Sequence, residues 1–132
     1  MNTKQTVLVA TKEELMEIIK SSKANANLNY LDVSDITDMS DLFANSKFNG
    51  NISKWDVSNV EDMEYMFYNS KFNSDISQWN VNNVTNMKAM FYKSNFTGDI
   101  SQWNVANVTN MAFMFNFSSF NGDISKWVKQ PT

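Results

Sequence analysis

The chain has 132 residues, of which 42% are hydrophobic, and carries a net charge of −3. Every one of its 11 basic residues is Lys, and it contains neither Cys nor His. Disulfides, thiol chemistry and imidazole catalysis are excluded. Without Arg there is no bidentate fork for phosphate or guanine, so nucleic acid is not an expected partner.

The length fits one domain. No apolar run approaches the roughly 18 residues of a membrane span, so no membrane insertion is expected. The first apolar stretch, Val7 to Ala10, is too short for the core of a signal peptide. Either the chain is cytosolic or a secretion signal has been removed, and the sequence leaves both open. Residues 1–27 read as an N-terminal strand–helix cap. Val7 to Ala10 is the strand, and Thr11-Lys-Glu-Glu14 is a capping box with Leu15, Ile18 and Ile19 on one face of the helix it opens.

From residue 28 the sequence repeats every 24 residues. Trp55, Trp79, Trp103 and Trp127 keep this step, as do Phe48, Phe72, Phe96 and Phe120, Ile52, Ile76, Ile100 and Ile124, and Met39, Met63, Met87 and Met111. Leu42, Met66, Met90 and Met114 keep it, and so do Phe43, Phe67, Phe91 and Phe115. The units are about 28–51, 52–75, 76–99 and 100–123, then a terminal strand 124–128 and a tail 129–132. The first unit is degenerate, as terminal repeats are.

Within a unit, Ile52-x-x-Trp55-x-Val57 predicts a strand, with Trp55 and Val57 alternating inward. Asp38, Asp62, Asn86 and Asn110 are read as N-caps of a short helix carrying Met63, Met66 and Phe67 at i, i+3, i+4. The expected fold class is α/β: a short right-handed leucine-rich-repeat-like solenoid of strand–turn–helix units with an N-terminal helical cap. The Asn column Asn59, Asn83 and Asn107 is expected to satisfy turn backbone groups. Lys129 and Pro131 are expected to discourage further strand pairing.

The unit closely resembles the short repeat of BspA-like leucine-rich-repeat surface proteins, nearest the repeat domain of unknown function in mycoplasma-type surface lipoproteins. The residues that carry the likeness are WDVSNVEDMEYMF, WNVNNVTNMKAMF and WNVANVTNMAFMF, joined by FNGNIS, FNSDIS, FTGDIS and FNGDIS. The resemblance covers Leu28 to Trp127. It implies a surface binding protein or antigen without enzymatic activity.

The residues themselves offer no catalytic constellation: no nucleophile beside a base and no Gly-rich phosphate loop. Asp75, Asp99 and Asp123 recur at one position, but Asn51 interrupts the column and no metal or cofactor is expected. Two surfaces compete for a protein partner. On the predicted strand face, Lys54, Gln78, Gln102 and Lys126 form a row preceded by Tyr30, beside Asp56, Asn80 and Asn104. On the predicted helix face stand Tyr65, Tyr68, Tyr92, Phe113 and Phe117, where the last two are either a packed end or an anchor for a partner or a second copy. The reading is a non-catalytic protein-binding module, surface-located or secreted and adhesin-like. The alternative is a small intracellular inhibitor or adaptor, for instance phage-encoded, that acts by occlusion.

Overall fold

The computed structural model describes residues 6–131, so residues 1–5 of the expected N-terminal segment and the last residue of the tail lie outside it. Its named elements are β1 (Val7–Leu8), α1 (Lys12–Ser21) and β2 (Leu31–Asp32). β1 and β2 pair in parallel, Val7 with Leu31 and Leu8 with Asp32. Thr11 opens α1: its Oγ1 accepts from the Glu14 amide at 3.1 Å, while Glu14 Oε1 accepts from the Ala10 amide at 3.1 Å. Leu15 and Ile19 are the buried residues of this helix.

The expected strand–helix solenoid with a helical cap is not what forms. α1 is the only helix among the described residues, and β1–β2 is the only sheet; the repeats are built of turns. In the second repeat the amides of Trp55, Val60, Met66 and Tyr68 each donate to the carbonyl three residues back, at 3.0–3.2 Å. The predicted strand Ile52–Val57 is therefore a turn closed by Ile52 and Trp55. The predicted helix from Met63 is a chain of overlapping turns.

The helix is lost because alternate amides point the other way. Met63, Tyr65, Phe67 and Asn69 donate, each at 2.9 Å, to the carbonyls of Asn86, Lys88, Met90 and Tyr92 in the next repeat. An α-helix needs every amide for the carbonyl four residues back. The backbone reaches this alternation through left-handed residues, which turns with a positive φ at their third position require. They are Asp41, Asn45, Tyr65, Asn69, Ala89, Lys93, Phe113 and Phe117, with φ between 51° and 61°. None is Gly, and none can sit in a right-handed helix.

Each 24-residue repeat is thus a coil of turns laid on its neighbour, with parallel bridges linking Asp38, Asp62, Asn86 and Asn110 in succession. Apolar columns fill the interior. Phe43, Phe67, Phe91 and Phe115 stack with centroids 5.3–5.6 Å apart and planes within 6°. The Trp rings are buried. Each indole Nε1–H also reaches back 27 residues to a carbonyl of the preceding coil: Trp55 to Leu28, Trp79 to Ile52, Trp103 to Ile76 and Trp127 to Ile100, at 2.9–3.1 Å. One column therefore supplies both apolar burial and the polar link between coils.

Candidate functional site

The side chains that the spacing marks as polar columns serve the backbone first. Asp56, Asn80 and Asn104 each accept from the amide two residues on, at 3.0 Å, and Asp56 also takes the Ser58 hydroxyl at 2.5 Å. Asp62, Asn86 and Asn110 do the same with Glu64, Lys88 and Ala112, so these expected helix N-caps are turn brackets. Asn59, Asn83 and Asn107 donate their amide N–H to the carbonyls of Ser34, Ser58 and Asn82 in the preceding coil, at 2.7–2.8 Å.

The Asp75, Asp99 and Asp123 column behaves likewise. The amides of Ser77, Ser101 and Ser125 donate to these carboxylates at 2.8–2.9 Å. Those serine contacts hold the three carboxyls below the ordinary aspartate value. Among the described residues no cluster of three or more acidic side chains is placed to hold a metal.

Of the face read as strands, Lys54, Gln78, Gln102 and Lys126 are exposed and Tyr30 is half-buried. Since Ile52–Trp55 is a turn, this is a row of turn tips without a ladder of its own. Asp56, Asn80 and Asn104 are exposed beside it, but their acceptor oxygens are engaged by their own turns.

The face read as helices is instead the outer side of the left-handed turns. Tyr65, Phe113 and Phe117 are themselves left-handed residues. The structure gathers most of this set into one aromatic strip. Tyr65 meets Tyr68 edge-on at 5.5 Å, Tyr68 stacks on Tyr92 at 5.5 Å, and Tyr92 lies 6.0 Å from Phe117. Lys93 Nζ sits 5.6 Å from the Tyr92 ring centre. The strip opens toward the C-terminal end, where Phe113 is 53% and Phe117 81% exposed.

That end holds residues that the spacing marked only as core. Upstream, Met39, Met63 and Met87 are sealed; their counterpart Met111 is half-buried, as are Phe115, Phe120 and Ile124. The tail closes only one side. Gln130 Nε2 donates to Ile124 O at 2.7 Å, taking the part an indole plays in each earlier coil, and Lys129 Nζ donates to Val108 O at 2.7 Å. A cleft of about 310 Å³ lies between this tail and the last coil, lined by Val108 to Ala112, Lys129 and Gln130. Only the end position of these residues distinguishes them, and a repeat gives no signal for that.

No helix among the described residues is long and apolar enough to cross a membrane. No curated protein and no solved structure matches the chain. One family model does, over residues 13–127, which takes in every coil. The chain belongs to the family described as Mycoplasma protein of unknown function, DUF285.

Proposed function

We propose that the chain is a non-catalytic protein-binding repeat module, surface-located or secreted. The carrying observation is the aromatic strip that ends in Phe117, with Phe113 exposed on the same coil: the core rings of the earlier coils are buried, while Phe117 lies open beside Tyr92. Exposed aromatics ringed by polar groups are where protein interfaces concentrate their affinity. The polar columns favour the same reading, because their side chains are committed to turns and leave no acid, base or nucleophile grouped for chemistry. The surface or secreted location rests on the likeness of the repeats to BspA-like surface proteins.

The test is saturable binding to a panel of purified extracellular proteins, comparing the wild type with the double variant Phe113→Ala, Phe117→Lys. The reading expects at least a tenfold loss of affinity with the melting transition unmoved. Lower stability in the variant would mark the two rings as a packed end instead. Equal binding by both proteins would remove the strip as the anchor. Sizing chromatography on the same pair tests whether the strip also joins two copies.

A further inference from the structure

The last coil ends in a row of donors. In every coil before it, four alternate amides donate to the next coil: Met87, Ala89, Phe91 and Lys93 reach the carbonyls of Asn110, Ala112, Met114 and Asn116 at 2.8–2.9 Å. The equivalent amides of the last coil are those of Met111, Phe113, Phe115 and Phe117, and among the described residues none has a partner. The carbonyls of Met111, Phe113 and Phe115 are already used inside their own turns, accepting from Met114, Asn116 and Ser118. From Met111 to Phe117 this edge therefore offers a run of N–H donors, flanked by the carbonyls of Thr109 and Ser118, whose counterparts Thr85 and Ser94 accept from the next coil.

That polarity selects what can lie on it. An ordinary β-strand presents N–H and C=O groups together along an edge, so it would set donors against donors. A second copy meeting this one end to end through the same row fails for the same reason. A segment in the repeat's own turn conformation fits, because its outward carbonyls come every second residue and all face one way. The space also has a defined length. Ile124 to Gln130 already fill the first half of the next layer, through the Trp127 indole, Gln130 and Lys129. The second half, over the half-buried Met111, Phe115 and Phe120, is covered by none of the described residues and runs into the 310 Å³ cleft.

We infer that this half-filled layer is a docking slot for a partner polypeptide segment of the pattern apolar-x-x-apolar-Phe, held in the coil's turn conformation with its alternate carbonyls on the amides of Met111, Phe113, Phe115 and Phe117. The slot continues the interface that joins the coils. There the Met63, Met66 and Phe67 positions supply the buried groups, and the carbonyls of Asp62, Glu64, Met66 and Tyr68 accept from the coil before. This deepens the protein-binding reading and rests on it.

The probe is a synthetic peptide with blocked ends spanning Asn86 to Phe96, added to the full chain and followed by amide hydrogen exchange. A short peptide must be ordered on binding, so saturation is expected only at high concentration. At saturation the amides of Met111, Phe113, Phe115 and Phe117 are expected to exchange at least tenfold more slowly, with the earlier coils unchanged. The peptide carrying Met87→Ser, Met90→Ser and Phe91→Ser is expected to give no protection, and Phe115→Glu in the protein to abolish it. Unchanged exchange at these four amides under saturating wild-type peptide overturns the slot, as does equal protection by the serine peptide. Neither result touches the aromatic strip, whose own test is the Phe113→Ala, Phe117→Lys pair; the binding reading itself falls only if both fail.

Discussion

Lys93 illustrates how a single residue decides between two local structures. It is exposed, and its φ is 59°. A non-glycine residue held there costs on the order of 1–2 kcal/mol, which glycine does not incur. Lys93→Gly is thus expected to be neutral or to stabilise by up to about 1 kcal/mol, after the entropy glycine loses on folding. In a helix the same change would destabilise by about 1 kcal/mol. Urea midpoints at matched slope read the sign, and a clear loss of stability would contradict the left-handed turn.

The turn aspartates fix a second expectation. Asp32, held by the Ser34 hydroxyl and amide, sits below the ordinary aspartate value, as do Asp75, Asp99 and Asp123 through their own serines. A carboxyl depressed by folding contributes stability that is complete above its unfolded value and lost as pH falls through its folded one. Stability is expected to hold from neutrality down to the ordinary aspartate range and to decline below it. Asp41 runs oppositely, since burial raises its carboxyl, and it tempers the decline. Replacing Asp75, Asp99 and Asp123 together by Asn, which keeps the turn acceptor, is expected to flatten the acid limb of a stability–pH curve. A curve of unchanged shape would show that these carboxylates are not its source.

At the scale of the element, the boundary of what the sequence discloses is clear. The period, the buried columns and α1 were readable, because burial repeats with the chain and Thr11 and Glu14 carry a cap's chemistry. The conformation of the repeat was not. Met63, Met66 and Phe67 match a helical stripe, yet the ends of a turn also stand three residues apart. An Asp or Asn that would cap a helix brackets a turn with the same oxygen. Left-handed positions are normally betrayed by Gly or Asn. Asn45 and Asn69 are such hints, but Tyr65, Ala89 and Phe113 are not. The surfaces suffered accordingly: Tyr65, Tyr68, Tyr92 and Phe117 assembled into a strip, whereas Asp56, Asn80 and Asn104 proved to be turn brackets.

The glycines of this repeat give room rather than a left-handed turn, since none adopts a positive φ. A Cβ on Gly50 would collide with the Ala26 carbonyl oxygen and with the Phe48 ring. On Gly98 it would meet only the Phe96 ring, at 2.7 Å. Ser74 occupies the equivalent place one coil earlier, so a neighbouring ring can give way. Gly50→Ala is expected to cost about 1–3 kcal/mol and Gly98→Ala distinctly less, because backbone cannot step aside as a ring can. Equal thermal shifts for the two would refute that account.

Across the whole molecule, stability passes from coil to coil, and the tryptophan column tests this. Trp79 and Trp127 are equally buried, 4% and 5% exposed. Trp79 stacks on Trp55 and holds Ile52, with further coils below; Trp127 stacks on Trp103 and holds Ile100 at the end. Trp79→Ala is expected to cost about 3–5 kcal/mol and to broaden the transition of the whole stack. Trp127→Ala is expected to cost less, although burial alone would rank them together. Coincident urea midpoints would argue that the coils do not support one another.

The one-way row of amides has an electrical consequence. Strand dipoles in ordinary sheets largely cancel. Here the face built from Met39–Asn45, Met63–Asn69, Met87–Lys93 and Met111–Phe117 sends its inter-coil N–H groups toward the C-terminal end, coil after coil. Their moments add along the stack, as peptide moments add along a helix axis. Among the described residues the amides of Met111 to Phe117 are the unpaired positive pole of this face, so a face that holds no helix still draws negative charge to its C-terminal end, an attraction that salt screens.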